Sequence, residues 1–369
     1  MKKTMITALL CAAAVLISTV HPCGAASLSA ESAILIEADS GDVISEKNSH
    51  ARLPMASTTK IMTAVVALEH VPTGRQVKIP SAACGVEGSS VYLTPGETLT
   101  MEDLLYAMLL ESANDAAAAI AIEVAGSVDA FADMMNEKAA ELGLADTHFT
   151  NPHGLYDENH YTTAADLAMI AAYALKNETF SKIVSTYKHT IPLHDGEGVR
   201  VLINHNRLLK MSGDVIGVKT GFTKKSGRCL VSAAERNGVR VIAVTLNAPN
   251  DWNDHLAMLE EGLGSYSSYD LAEENEFTLA IPAIGSESGT LTVSNKDPLR
   301  LTLPSGTEIK TVIEAPHIII EPVNEGDVIG RVVFSSGGKE IGSVELVADE
   351  TTSAPKKNGL WRKITKLFG

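Results

Sequence analysis

The spacing of apolar and polar residues predicts a central block of helices flanked by strands. Apolar residues at 33–36, the turn Ser40-Gly41-Asp42 and the pair Val43-Ile44 predict a β-hairpin over residues 32–45. Helical spacing and helix-ending signals predict helices over residues 57–70, 101–110, 115–125, 128–142 and 164–175. Strand spacing, with the tight turn Asn237-Gly238, predicts strands over residues 215–220, 229–234 and 239–246. This order is typical of an α+β domain whose first and last strands share one antiparallel sheet.

The pattern changes near residue 276, where short strands separated by Gly, Pro and Asn predict a small all-β domain at residues 274–348. Residues 349–358 are predicted to form a polar linker, and residues 359–369 a short amphipathic helix. The candidate strands of the all-β domain are 277–281, 290–293, 299–303, 308–313, 317–320, 328–334 and 340–347.

The first 26 residues have the composition of an export signal. Lys2-Lys3 precede an apolar run over residues 5–20, and Cys23-Gly24-Ala25-Ala26 offers small residues for cleavage. An uncleaved membrane anchor is the alternative. Removal of the signal leaves Cys84 and Cys229, which are predicted to be two buried thiols, although a disulfide stays open.

The net charge of −15 argues against nucleic acid as a partner, because a phosphate backbone binds basic surfaces. The eleven histidines show no His-Glu-x-x-His or comparable metal-ligand spacing, so we expect neither a metal nor another cofactor.

Ser57-Thr58-Thr59-Lys60 is the first segment that indicates chemistry. At a helix start, a spacing of three residues places the Ser57 hydroxyl beside the Lys60 amine. A serine becomes a nucleophile when a base takes its proton, and burial or a nearby cation lowers a lysine pKa enough for that task. The spacing alone also fits an ordinary helix cap with a surface lysine. It recurs at Ser185–Lys188, Ser336–Lys339 and Ser353–Lys356.

Two further polar motifs follow the first. Ser112-Ala113-Asn114 lies between two predicted helices, where Ser112 would relay a proton and the Asn114 amide would hold a substrate backbone. Lys219-Thr220-Gly221 ends a predicted strand, where the first two residues would bind a carboxylate and Gly221 would let substrate lie along the strand edge. A helix cap and a plain turn are the simpler explanations of each motif alone.

Together, S-x-x-K, S-x-N and K-T-G in this order resemble the serine-type D-alanyl-D-alanine carboxypeptidases, the low-molecular-mass penicillin-binding proteins. The resemblance is close over residues 27–265, which we take as a catalytic domain at 27–273, and is one of architecture alone beyond that. Further segments that carry it are Glu87-Gly88-Ser89-Ser90, Asn151-Pro152-His153-Gly154-Leu155, Asn204-His205-Asn206-Arg207-Leu208-Leu209 and Gly217-Val218-Lys219-Thr220-Gly221-Phe222-Thr223.

The resemblance implies a penicillin-binding protein/β-lactamase-like fold and a catalytic role for each motif. Ser57 would attack the carbonyl between the two terminal D-alanines of a peptidoglycan stem peptide and form an acyl-enzyme, as it would with β-lactams. Lys60 would be the general base, and Ser112 would pass the proton toward the leaving D-alanine. Substrate contacts are implied for Asn114, Lys219, Thr220, Gly221, Phe222 and Arg207, with the backbone N–H groups of Ser57 and Phe222 as the oxyanion hole.

Three alternatives stay open at this point. A class A β-lactamase shares the triplets, but it usually has Ser-Asp-Asn where this chain has Ala113, and residues 150–180 contain no Glu-x-x-x-Asn. A D,D-endopeptidase of the same fold would use the same residues on cross-links. A non-catalytic wall-binding protein would leave Ser57 inert.

The C-terminal segment has one apolar and one basic face. Leu360, Trp361, Ile364, Leu367 and Phe368 fall on one side of a helix, and the five cations that follow residue 355 lie elsewhere. Such a helix favours an anionic membrane surface, so we expect an anchor on the outer face of the bacterial cytoplasmic membrane. Docking onto the protein's own β domain is the alternative.

Overall fold

The computed structural model describes residues 28–193, 198–284, 286, 288–320 and 322–352. The predicted signal peptide and the predicted helix at residues 359–369 lie outside the described residues. The helices are α1 (Lys60–His70), α2 (Met101–Leu110), α3 (Asn114–Ala125), α4 (Val128–Glu141), α5 (Ala164–Leu175), α6 (Glu178–Ser185), α7 (Leu208–Met211) and α8 (Asp251–Ser265). The strands are β1 (Ser32–Glu37), β2 (Val43–Lys47), β3 (Gln76–Lys78), β4 (Thr98–Thr100), β5 (Lys188–Pro192), β6 (Val199–Ile203), β7 (Val215–Thr223), β8 (Gly227–Arg236), β9 (Val239–Leu246), β10 (Tyr266–Ala272), β11 (Thr278–Pro282), β12 (Thr290–Ser294), β13 (Leu299–Pro304), β14 (Lys310–Glu314), β15 (Val328–Ser336) and β16 (Lys339–Ala348).

A five-stranded sheet in the order β2-β1-β9-β8-β7 is the framework of the first domain. β1 pairs antiparallel with β9, so the first and last strands of the domain share the sheet, as predicted. Side chains of β1 alternate between two cores: Ile34 and Ile36 contact the main helical cluster, whereas Ala33 and Leu35 contact the cluster that contains α8. Both faces of the sheet are therefore covered by helices.

α2 and α3 both pack in the main helical cluster and are separated by a short break at residues 111–113. α2 begins with a capping box in which Thr100 and Asp103 satisfy each other's backbone N–H groups. α3 has small alanines along its buried length and ends at Gly126, whose φ of 82° is left-handed. Because α3 is packed so closely, the break between α2 and α3 lies inside the domain rather than at its surface.

The second domain contains a two-stranded sheet of β10 and β13 and a five-stranded sheet in the order β11-β12-β16-β15-β14. Its core includes Leu291, Val332, Phe334 and Leu346. β10 pairs with β13 and follows α8 directly, so the all-β part begins at Tyr266, earlier than the predicted boundary between residues 273 and 274.

Two other predictions in this domain need correction. Residues 317–320 do not form a strand, since Ile319 makes an isolated bridge to Ala283. Asp349 and Thr352 lie in the predicted linker but are hydrogen-bonded to the domain. The Asp349 N–H donates to Thr292 O. The Thr352 N–H donates to Val323 O, and the Val323 N–H donates to Thr352 Oγ1.

Several elements were not predicted from the sequence, among them α6, the β5–β6 hairpin and α8. None of the helices within the described ranges combines the length and the hydrophobicity that a membrane span requires.

Candidate active site

The first motif forms a short 3₁₀ turn over Ala56–Thr59 that leads directly into α1, so Ser57 lies at a helix start, as predicted. Ala56 has a φ of 48°, an uncommon left-handed conformation for a residue with a side chain. The Thr58 hydroxyl donates to Met55 O at 2.6 Å, a bond that closes the turn. The left-handed Ala56 and the Thr58 hydrogen bond together define the shape of this turn.

Lys60 is completely buried and its amine has three partners. Nζ lies 2.9 Å from Ser57 Oγ, 2.7 Å from Asn114 Oδ1 and 2.6 Å from the carbonyl oxygen of His153. The first contact lies within the first motif, and the second joins it to the second motif, 54 residues away. The third was not predicted, since a backbone carbonyl has no sequence signature.

The surroundings of Lys60 favour its neutral form. Burial lowers the pKa of Lys60 well below 10.5, the positive charge of Lys219 lowers it further, and Asp115 opposes both effects. Burial also lowers the pKa of Lys219 to about 7. The two causes expected from the sequence, burial and a neighbouring cation, therefore both act on Lys60.

The second motif lies at the break between α2 and α3. Ser112 has a φ of 59° and is 5% exposed, and it borders the same cleft as Ser57. The Asn114 backbone N–H donates to Ser89 O at 2.7 Å, and its side-chain Nδ2 donates to Glu87 O at 2.5 Å. Because Nδ2 faces a carbonyl, the amide orientation is fixed, and Oδ1 is the atom presented to Lys60.

The third motif lies in β7, which passes beside the 3₁₀ turn. A Cβ at Gly221 would lie 3.1 Å from Met55 O and 3.1 Å from Ser57 N. The missing side chain of Gly221 therefore makes room for the Ala56–Thr59 turn, here called the nucleophile turn. The prediction was that Gly221 makes room for substrate, so the structural reason for this glycine is a different one. Lys219 is 1% exposed and its Nζ donates to Thr220 O at 3.0 Å.

The three motifs surround an open cleft of about 390 Å³. Two arginines border it: the guanidinium carbons of Arg207 and Arg228 lie 6.0 and 5.4 Å from the ring centre of Trp252. Arg228 Nε lies 2.9 Å from the buried Asp251, so Arg207 carries the less compensated charge. The lining residues are Ser57, Ser89, Ser112, His205, Arg207, Thr220, Gly221, Phe222, Arg228, Asp251 and Trp252.

Six of the nine predicted site residues line this cleft, and the other three lie behind its wall. Lys60, Asn114 and Lys219 are buried. Lys60 contacts both Ser57 and Asn114, and the positive charge of Lys219 lowers the pKa of Lys60. Arg228 and Trp252 were not predicted. The sequence marks them only by side-chain chemistry, a cation at position 228 and an indole at position 252.

Cys84 and Cys229 are free thiols, and burial raises the pKa of Cys229 to about 11. Within the ranges that the structure describes, no group of three or more His, Cys, Asp or Glu side chains is arranged to hold a metal ion.

Comparison with known proteins identifies similarity over both domains. Residues 18–250 match the family model of D-alanyl-D-alanine carboxypeptidases, and residues 266–354 match that of the penicillin-binding protein 5 C-terminal domain. The D-alanyl-D-alanine carboxypeptidase DacF of Bacillus subtilis is 33% identical over 351 residues, covering 92% of this chain and 89% of the relative. DacA of Escherichia coli is 29% identical over 374 residues, covering 94% and 91%. The crystal structure of penicillin binding protein 5 from Haemophilus influenzae matches with a TM-score of 0.68 and 28% identity, covering 88% of this chain and 98% of that one.

Proposed function

Because this chain belongs to the D-alanyl-D-alanine carboxypeptidase family and is a serine peptidase of the penicillin-binding kind, we propose that Ser57 is the residue acylated in the reaction. The substrate is a peptidoglycan stem peptide that ends in D-alanyl-D-alanine. Ser57 Oγ attacks the carbonyl carbon between the two D-alanines, the C–N bond breaks, and the terminal D-alanine leaves. Water then releases the shortened peptide from Ser57. A β-lactam acylates the same oxygen.

The observation that carries this proposal is the set of three contacts around Lys60. A neutral amine has two N–H donors and one lone pair. Asn114 Oδ1 and His153 O are acceptors alone, so they take the two hydrogens. The lone pair then faces Ser57 Oγ, whose hydroxyl can donate along the 2.9 Å contact. Lys60 is thereby placed to remove the hydroxyl proton as Oγ attacks, the task of a general base.

The remaining predicted residues divide the other tasks. Ser112, at the rim of the cleft, passes the proton to the departing amine. The backbone N–H groups of Ser57 and Phe222 stabilise the oxyanion, a contribution for which losing one donor typically costs about 3–4 kcal/mol of barrier. Thr220 and Arg207 bind the terminal carboxylate, with Lys219 adding charge from behind.

Asn114 has a different task from the predicted contact with the substrate backbone, because it is buried behind the cleft wall and both ends of its amide are bonded within the protein. Its amide oxygen holds the Lys60 amine at 2.7 Å, so it orients the base. Loss of this acceptor would free one Lys60 hydrogen to face Ser57.

The decisive experiment is intact-mass analysis after penicillin treatment of the wild type and Ser57→Ala. We expect one covalent adduct in the wild type and none in the variant. Ser185→Ala is the matched control, because Ser185 begins another Ser-x-x-Lys sequence but lies on α6 with its hydroxyl bonded to Ser181 O. An adduct that persists in Ser57→Ala would remove Ser57 as the nucleophile.

We further propose that the protein is exported and held on the outer face of the cytoplasmic membrane by residues 359–369. The basic and apolar faces of that segment support this, together with the signal-like residues 1–26. Deletion of residues 356–369 should release active enzyme into the soluble fraction, whereas the full chain sediments with membranes. A truncated form that still sediments would contradict the anchor.

A further inference from the structure

A buried imidazole lies behind the nucleophile turn and takes no part in the chemistry described above. His160 is 3% exposed and lies between α4 and α5, next to residues that bridge to Leu53 and His148. Its ring packs edge-on against Phe149, with ring centres 5.8 Å apart. Both ring nitrogens nevertheless have polar partners, so the ring is held in one orientation.

The partners determine which nitrogen carries the hydrogen. The backbone N–H of Thr150 donates to Nδ1 at 3.0 Å, so Nδ1 is an acceptor and Nε2 bears the hydrogen. Nε2 lies 2.7 Å from Thr59 Oγ1, and the Thr59 hydroxyl donates onward to Ala56 O at 2.8 Å. The ring hydrogen on Nε2 therefore points to Thr59 Oγ1, and the Thr59 hydroxyl hydrogen points to Ala56 O. Burial lowers the pKa of His160 to about 4, which keeps the ring neutral near pH 7.

The end of this hydrogen-bond relay is the carbonyl that precedes the nucleophile. The Ala56 carbonyl and the Ser57 N–H belong to the same planar peptide unit and point in opposite directions. Holding the Ala56 oxygen therefore aims the Ser57 N–H. The position needs such support, because Ala56 has a left-handed φ of 48°, which costs about 1–3 kcal/mol without compensating contacts.

We propose that His160 is a positioning residue of the acylation step: through Thr59 it fixes the Ala56 peptide so that the Ser57 N–H faces the oxyanion. This rests on the proposed function, specifically on the Ser57 N–H as an oxyanion donor. His160 does not touch the reacting atoms. Its effect passes through the Thr59 hydroxyl, so the two residues act as one unit.

A double-mutant cycle on Thr59 and His160 tests the proposal, with the rate of penicillin acylation and kcat and KM for a D-alanyl-D-alanine peptide as readouts. Thr59→Val and His160→Phe should each lower the acylation rate and kcat about tenfold or more, with little change in KM. The double variant should fall no further than about twofold below the slower single variant. His160→Gln, whose amide nitrogen can donate to Thr59, should recover the rate to within about threefold of the wild type.

The matched control is His148→Phe, which changes a histidine of the same segment whose Nδ1 contacts Asn159 O and which lies outside the relay. It should acylate at the wild-type rate. Losses that multiply in the double variant, an unchanged rate in folded His160→Phe, or an equal loss in His148→Phe would each overturn the proposal. If His160→Phe does not fold, Thr59→Val decides, since an unchanged rate there also overturns it.

The two proposals fail in different ways. Absence of an adduct in the wild type would contradict Ser57 acylation itself. A wild-type adduct that forms equally fast in Thr59→Val and His160→Phe would contradict the positioning role alone.

Discussion

Lys219→Met should make the folded protein more stable while removing activity, because Lys219 is a buried amine. Lowering its pKa from 10.5 to about 7 corresponds to about 5 kcal/mol, at about 1.4 kcal/mol for each tenfold change in the acidity constant. Near pH 7 the unfolded chain carries the proton and the folded chain has lost about half of it. The buried amine therefore lowers the free energy of unfolding by about 4 kcal/mol at pH 7.

The pH dependence gives the sharper test. Between the folded pKa of about 7 and the unfolded value of 10.5, the unfolded state binds more protons, so the free energy of unfolding rises with pH. At pH 9 the remaining penalty is about 2 kcal/mol, so the wild type should gain about 2 kcal/mol more than Lys219→Met between pH 7 and pH 9. Loss of the Lys219 charge also raises the pKa of Lys60 toward its usual value. This makes the variant more stable near pH 7 and weakens its pH dependence further.

Urea unfolding at the two pH values measures both quantities. Lys224→Met, which removes an exposed lysine nearby, should follow the wild-type pH dependence. Parallel pH dependences for the wild type and Lys219→Met would refute the assignment of a neutralised, buried amine at this position.

Three further predictions concern the support of the site. Gly154→Ala should abolish acylation and lower the thermal midpoint, since a Cβ there would lie 1.9 Å from Ala56 O. Gly143→Ala is the control: its φ is similar but the space around it is open, so it should show only the backbone cost of about 1 kcal/mol. Asp115→Asn should lower the free energy of unfolding by about 1–3 kcal/mol and speed hydrogen exchange of the loop amides that its carboxylate holds, because an amide nitrogen would face donors instead of accepting from them. Cys229 should stay unreactive to a thiol reagent until urea unfolds the chain, because it is buried and its pKa is raised to about 11; rapid labelling of the folded protein would contradict this.

The elements with clear hydrophobic periodicity were predictable, and those shaped by tertiary contacts were not. The hairpin at the N-terminus and the helices from α1 to α5 follow their patterns closely. α8 was missed although its leucines have helical spacing, since Gly262 and Gly264 lower its helix propensity. The structure gives the reason for Gly262: a Cβ there would lie 3.0 Å from the Val241 side chain.

The same distinction holds for the active site. Side-chain chemistry and order along the chain identified the three motifs, because hydroxyl, amine and amide groups have recognisable roles. The contributions of the His153 carbonyl and of Gly221's close approach to the nucleophile turn come from backbone atoms of distant segments. No residue type encodes such contacts, so they become visible only in three dimensions.

The three partners of Lys60 also suit its charged form. A protonated amine has three hydrogens, and Ser57 Oγ, Asn114 Oδ1 and His153 O can all accept one. Acidification would then reverse the direction of the hydrogen bond between Ser57 and Lys60 while the same three acceptor oxygens serve the added proton. A protonated Lys60 has no lone pair and cannot act as the base, so we expect the enzyme to be inactive in acid and to regain activity when the medium is neutralised.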